Sequence, residues 1–170
     1  MIIGNVAFYG ASAGEAYIRG MAGERFGVRN SGVSVVVEGI GDNGCEYMTG
    51  GHVVVLGRAG RNFGAGMSGG TAYIYDLRTE RANPESLSSG ELELLPLGSA
   101  DVEILRDLLQ RHRAETDSSV AAGMLDDLDA AVARFTKVLP RDYAAVLQTR
   151  ETAINEGLDP DGDVVWSRIM

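Results

Sequence analysis

The sequence predicts a mainly β fold: a right-handed parallel β-helix (a solenoid) with about 19 residues per coil, followed by a C-terminal helical segment. Three observations support this prediction. Glycines recur at a nearly fixed interval in the first half of the chain, and each opens a short β-branched run. A unit of that length is too short for a hairpin and a helix, and it suits one coil of a solenoid. Leucine, alanine and charged residues with helical spacing dominate the second half.

The glycine repeat defines the predicted corners of the coils. Successive strands begin at Gly14, Gly32, Gly51 and Gly70. A second turn residue, glycine in most repeats, follows each of these glycines at a short, nearly constant distance in the sequence. A corner must reverse the chain tightly against the neighbouring coil, so it favours a residue without a Cβ. The predicted structural repeat glycines are Gly14, Gly20, Gly32, Gly39, Gly51, Gly57 and Gly70.

The β-branched runs between these glycines predict the strands and the core. The strands are expected within residues 16–18, 34–37, 53–56 and 72–75, with residues 4–10 as one more strand and about three short strands per coil. The aliphatic side chains predicted to stack inside the solenoid are Ile18, Val35, Val37, Val53, Val55 and Ile74. Left-handed solenoids with hexapeptide repeats need an aliphatic residue before each glycine. Only Leu56 fits that pattern well, which favours the right-handed form.

Residues 76–99 form the predicted closing loop, because Asn-Pro and Ser-Gly pairs are turn signals. The brief alternation before Pro96 predicts a short edge strand. Helices are expected at residues 102–113 with Asp101 as N-cap, at 118–135, at 141–155 and from about 164. The sequence thus divides into a β-helix domain with its closing loop, 1–99, and a helical appendage that packs on or beside it, 100–170.

The composition excludes several classes of function. The net charge of −9 argues against nucleic acid and anionic membrane surfaces as partners. The longest apolar run, residues 53–56, is far short of the ~20 residues of a membrane span. A single cysteine, Cys45, forms no internal disulfide, and the N-terminus carries no basic signal region. These features predict a cytoplasmic protein.

The reactive side chains do not form a recognisable constellation. Two G-x-G-x-x-G motifs, at residues 39–44 and 64–69, lack the following helix that a dinucleotide site needs. Cys45 lies beside an acid and has no neighbouring base. His52 and His112 are too few and too far apart in the sequence for a zinc site. We therefore predict no catalytic, cofactor-binding or metal-binding residue. Because Gly4 leads almost at once into apolar residues, another chain segment or an oligomer is expected to cover the first coil.

Longer strings in the sequence point to a family. They are residues 25–32, the Cys-Glu-Tyr-Met-Thr-Gly-Gly string at 45–51, residues 60–70 with Gly-Met-Ser-Gly-Gly, and residues 135–143. This pattern resembles the C-terminal glycine-repeat domain of the large (alpha) subunit of glutamate synthase, over nearly the whole chain. Related glycine repeats occur in a subunit of formylmethanofuran dehydrogenase, although that resemblance does not extend to the helical half.

The resemblance implies a structural role. The parent enzyme converts glutamine, 2-oxoglutarate and reductant into two glutamates, using FMN, an iron–sulfur cluster and NAD(P)H or ferredoxin. Its glycine-repeat domain has no catalytic residue and no cofactor, and it braces the glutaminase and FMN-binding synthase domains. The implied partners are those domains, the small subunit or a homo-oligomer, without nucleic acid or membrane. The alternatives are a stand-alone subunit of another oxidoreductase complex, a solenoid acyltransferase with His52 as base, and a nucleotide-binding module.

Overall fold

Four parallel strands, one per coil, form one wall of a β-solenoid of about three turns in the computed structural model, which describes residues 1–169. They are β1 (Glu15–Met21), β2 (Ser31–Gly39), β3 (Thr49–Val55) and β4 (Gly69–Tyr75). Ala16 pairs with Val35, Val35 with Val53, and Val53 with Ala72, so the same strand position recurs once per coil. The predicted solenoid and its period are confirmed, while its right-handed sense stays a prediction.

The return side of each coil is not a strand. Every second residue there has a positive φ, as at Arg25, Gly27 and Arg29, and the same pattern occurs at residues 6–10, 43–47 and 62–66. Backbone hydrogen bonds still join the coils, for example from Arg25 N–H to the Asp42 carbonyl at 2.8 Å. The predictions of three strands per coil and of a strand at residues 4–10 are therefore wrong. When successive residues alternate between right- and left-handed conformations, their N–H and C=O groups can still form hydrogen bonds to the neighbouring coils. The side chains then lack the period-2 pattern by which a strand is recognised in the sequence.

The solenoid interior is filled by stacked apolar side chains. All six residues of the predicted aliphatic ladder lie in this core, together with Phe26, Phe63 and Cys45 from the return side. Large side chains fill the space that glycines leave: a Cβ on Gly44 would lie 2.6 Å from Ile40 Cδ1 of its own coil and 3.0 Å from a ring atom of Phe63 in the next coil. The core therefore depends on the order of large and small residues as well as on hydrophobicity.

The closing segment extends the sheet. After a 3-10 helix, Thr79–Arg81, and α1 (Pro84–Ser89), the predicted edge strand is present as β5 (Leu92–Leu95). Strand β6 (Phe135–Pro140) lies antiparallel between β4 and β5, giving the order β1-β2-β3-β4-β6-β5. The prediction that the helix at 118–135 extends to Phe135 is wrong. Residues 135–138 instead pair with the free edge of β4, and residues 137–140 pair with β5.

The helices of the second half are α2 (Ser99–Thr116), α3 (Ser119–Asp126), α4 (Leu128–Val132), α5 (Arg141–Asn155) and α6 (Asp163–Ile169). Asp101 is not the N-cap of α2. It lies in the first turn, where its carboxylate accepts a hydrogen bond from the Gly98 N–H at 2.9 Å. Asp127 separates α3 from α4, so the predicted helix at 118–135 is divided. Met170, the end of the last predicted helix, lies outside the described residues.

The helices α2 and α3 cover the outer face of the sheet. Val36, Val54 and Tyr73 point outward from β2, β3 and β4 into a second buried cluster, which also contains Leu105 and Leu109 of α2. The two halves thus share a core and a sheet, while their division into two domains at residue 99 stays a prediction.

Candidate functional site: the solenoid corners and the helix-covered sheet face

Gly51 and Gly70 form the corners that open β3 and β4. Their φ values are +83° and +78°, a region in which β-branched residues are strongly disfavoured. A Cβ on Gly51 would overlap the Val33 carbonyl oxygen, and one on Gly70 would lie 2.9 Å from the Gly50 carbonyl carbon. Both conformation and space therefore require glycine at these two corners.

The other predicted glycines occupy varied positions. Gly14 has open space around it, whereas Gly32 and Gly57 lie against carbonyl oxygens of the preceding coil. Gly20 and Gly39 face the side chains of other residues instead. The structural role of the whole set stays a prediction.

Asn30, which was not predicted as a functional residue, stabilises the corner before β2. Its side chain is fully buried and accepts hydrogen bonds from the N–H groups of Gly32 and Val33 at 3.0 and 2.9 Å. Its amide nitrogen donates to the Val33 carbonyl oxygen at 3.1 Å. An Asn-Ser-Gly sequence before a predicted strand is the available signal for such a turn.

A ladder of asparagines joins successive coils on the return side. The Asn62 amide donates to the Asn43 carbonyl oxygen at 2.9 Å, and the Asn83 amide donates to Asn62. Asn83 also caps α1 by accepting from the Ser86 N–H at 2.7 Å. The ladder was not predicted, although Asn43 and Asn62 are separated by one repeat of the solenoid and so carry a periodic signal.

The two G-x-G-x-x-G motifs lie at corners. The first contains the end of β2 and leads into a return segment, and the second ends where β4 begins. Neither motif opens a helix in the structure, so neither has the geometry that holds a pyrophosphate in dinucleotide-binding folds.

Cys45 is enclosed by the solenoid core. Its side chain is fully buried, and burial raises the pKa of the thiol well above its ordinary value. A Cβ on Gly27 would lie 3.6 Å from its Sγ, so the thiol fills the space that this glycine leaves. A buried, protonated thiol is a packing group and a poor nucleophile.

We expect Cys45 to resist alkylation by iodoacetamide in the folded chain at about pH 8, because the thiol is buried and protonated. In the urea-unfolded chain it should react at the rate of a free thiol. The measurement is the mass of the intact chain over time, with and without urea. Alkylation at equal rates in the two conditions would contradict the buried position.

A buried polar cluster connects the sheet to α2. The Asp101 carboxylate accepts hydrogen bonds from the Tyr73 hydroxyl at 2.9 Å and from the Lys137 ammonium at 2.8 Å. Lys137 is the only lysine in the chain, and it reaches the carboxylate from β6. His52 stacks on the Tyr73 ring with an interplanar angle of 9°. The cluster thus joins β3, β4, β6 and α2, and burial raises the pKa of Tyr73.

His112 lies on the buried side of α2 with both ring nitrogens lacking a hydrogen-bond partner among the described residues. Its Nε2 is 3.7 Å from a Glu38 carboxylate oxygen, which is longer than a hydrogen bond. The same oxygen accepts from the Ser118 hydroxyl at 2.5 Å, and Ser118 also caps α3. Because Ser118 bonds to Glu38 and not to His112, these groups anchor helices to β2 and do not form a nucleophilic triad.

The free energy of unfolding should fall as the pH drops from about 7 to about 5.5. Burial holds the pKa of His112 below its ordinary value of 6.5, against the opposing effect of Glu38. Burial also lowers the pKa of His52. The unfolded chain therefore binds protons at a pH at which the folded chain does not, so stability is lost on acidification. Urea unfolding at several pH values in this range measures how steeply the free energy of unfolding depends on pH. This pH dependence should be weaker in His112→Leu than in the parent chain. An unchanged pH dependence in both His112→Leu and His52→Leu would contradict the explanation.

The reactive side chains singled out by the sequence are dispersed in the part of the chain that the structure describes. Within residues 1–169, no group of three histidine, cysteine, aspartate or glutamate side chains is arranged to hold a metal ion. Among the described helices, none is long and apolar enough to cross a membrane. His52, Cys45 and His112 lie in three separate places, each packed against the fold.

Comparison with known proteins places this chain in a family. Residues 1–141 match the GXGXG motif family. The NADH glutamate synthase of Schizosaccharomyces pombe is 53% identical over 156 residues, which are 92% of this chain and 7% of that protein. The NADPH glutamate synthase large chain of Bacillus subtilis is 48% identical over 171 residues, 98% of this chain and 11% of that protein. The chloroplastic ferredoxin-dependent glutamate synthase of Spinacia oleracea is 44% identical over 142 residues, 82% of this chain and 8% of that protein.

The chain thus spans 7% to 11% of the length of these curated relatives. The match includes the glycine corners, the outer helices α2 to α4 and strand β6. The chain therefore belongs to the GXGXG motif family and is homologous over most of its length to a segment of glutamate synthase large chains.

Proposed function

We propose that this chain is a non-catalytic structural and interface domain of a glutamate synthase. The main support for this proposal is that the same segment matches synthases named for NADH, NADPH and ferredoxin. The three donors deliver electrons differently, so a segment common to all three serves a purpose independent of the donor. Bracing the glutaminase and FMN-binding synthase domains with a rigid solenoid is such a purpose.

The packing of the reactive side chains supports this role. Cys45 packs in the solenoid core, Asp101 is engaged by Tyr73 and Lys137, and His112 lies on the buried side of α2. In this proposal FMN, the iron–sulfur cluster and the site for NAD(P)H or ferredoxin belong to other parts of the enzyme. The partners are the other large-subunit domains, with the small subunit or a homo-oligomer as further contacts, and the location is the cytoplasm.

The test uses the full-length synthase with Gly70→Val, and with Gly123→Ala as the matched control. Gly123 lies in α3 with open space around its Cα, so alanine is tolerated there. Gly70→Val should reduce glutaminase activity, glutamate formation and native assembly together. Loss of glutamate formation alone, with unchanged melting temperature and assembly, would indicate a catalytic role. Glutamate formation by the isolated chain from glutamine, 2-oxoglutarate and reductant would also refute the proposal.

A further inference from the structure

A basic groove lies where the chain leaves β3 and β4. It encloses about 570 Å³ between the corner residues 56–59 and 75–78. Three arginines line it, Arg58, Arg78 and Arg81, over a floor that includes Leu77. This volume is in the range of protein binding clefts.

The arginines of the groove are only partly neutralised. Asp76 is engaged by Arg134 through two hydrogen bonds, and Arg78 pairs with the neighbouring Glu80 at 2.5 Å. Within the described residues 1–169, Arg58 and Arg81 form no ion pair at contact distance, although the charge of Arg81 also acts on Asp42 and Glu80. A chain with a net charge of −9 thus presents a local excess of positive charge at this corner.

Arg58 also lines a second cavity of about 330 Å³, whose apolar wall contains Met21 and Ile40. Two carboxylates, Glu24 and Asp42, line that cavity as well, and Asp42 is paired with Arg61 at 2.9 Å. The two cavities share a wall residue, so together they offer an elongated depression with the groove arginines at one end and the apolar wall at the other. Such a shape accommodates an extended polypeptide segment better than a compact anion. Guanidinium groups bind carboxylates with paired hydrogen bonds, so the matching segment is acidic.

We propose that this groove docks an acidic segment of the glutamate synthase large chain from outside the sequence described here. An apolar side chain of that segment lies near Met21, and its carboxylates bind Arg58 and Arg81. The inference rests on the proposed function. The relatives, of which this chain spans about a tenth, contain ample further sequence to supply the segment.

Zero-length cross-linking of the full-length synthase tests the inference. A carbodiimide couples lysine to a carboxylate only at contact distance, and this domain contains a single natural lysine, Lys137. The variants Arg58→Lys and Arg81→Lys keep the positive charge and add one reactive amine each. Arg113→Lys, on the exposed surface of α2, is the matched control. We expect both groove variants, but not the control, to yield a cross-linked peptide with an Asp or Glu from outside the domain.

Charge reversal gives a second readout. In the full-length synthase, limited proteolysis should cut this domain free at least about fivefold faster in the double variant Arg58→Glu/Arg81→Glu than in Arg113→Glu. An unchanged melting temperature of the isolated chain would show that the substitutions leave its fold intact. Equal release rates for the two variants would overturn the docking role of the groove.

The outcomes separate this inference from the proposed function. Cross-links that join the domain to the rest of the enzyme from other surfaces, with none from positions 58 and 81, would overturn the groove alone. Cross-links only to Asp76, Glu80 or Asp42 within this chain would do the same. A native polypeptide no larger than this chain would overturn the proposed function itself.

Discussion

Gly51→Val is expected to unfold the chain or drive it into aggregates. Valine at a φ of +83° is strained, and its Cβ would overlap the Val33 carbonyl oxygen of the preceding coil. A backbone atom cannot move aside without displacing a whole coil, so we expect a loss of at least about 4 kcal/mol in the free energy of unfolding.

Urea unfolding followed by far-UV circular dichroism measures this loss, with soluble yield as a second readout. Gly123→Ala is the control, since a Cβ there has no neighbour within 4 Å and alanine favours the helix. It should keep or slightly raise the free energy of unfolding. If Gly51→Val retains the parent melting temperature, the corner is not constrained as the structure indicates.

Asp101→Ala is expected to destabilise the chain by about 3 kcal/mol, because it leaves the Lys137 ammonium and the Tyr73 hydroxyl without their buried acceptor. The side chains of Lys137 and Asp101 are only 17% and 11% exposed, so water replaces the lost partner poorly. The same substitution removes the acceptor for the Gly98 N–H at the start of α2.

The double variant Asp101→Ala/Lys137→Met isolates the pairwise contribution. Removing both charges avoids an unpaired buried ion, so the double variant should be less destabilised than the sum of the two single variants. Asp126→Ala, at an exposed site of α3, should change the free energy of unfolding by at most about 0.5 kcal/mol. Strict additivity of the single variants in urea unfolding would show that Asp101 and Lys137 do not act as a pair.

The repeating half of the fold was predictable because its signal is periodic. A glycine and a β-branched run that recur once per coil require the same strand to stack on itself, and the inward ladder follows from alternation along each strand. The edge strand β5 was predictable in the same way. The family strings at 45–51 and 60–70 added the resemblance that the comparisons confirm.

The return segments were not predictable from local pattern. A positive φ at Cys45 or Tyr47 is imposed by hydrogen bonds to the neighbouring coils, because isolated non-glycine residues rarely adopt it. Strand β6 was missed for a related reason. Residues 135–138 pair with β4 across a long intervening sequence, and only the tertiary contact decides between strand and helix.

The polar groups that anchor α2 to the sheet have no signature in the sequence. Asp101 was predicted as a helix cap, but its role depends on Tyr73 and Lys137, which come from two strands far apart in sequence. Likewise, Arg58 follows β3 and Arg81 lies in the 3-10 helix after β4, and they meet at one groove only because the coils stack. Such groupings follow from the fold and have no local motif.

The most direct test of the central claim is the size of the native polypeptide that carries this sequence, measured by immunoblot of source cells with an antibody raised against the chain. A structural domain of glutamate synthase predicts one band many times larger than the 18.0 kDa of this chain, since the chain spans about a tenth of its relatives. A band at 18.0 kDa would contradict that account and would show a free subunit instead.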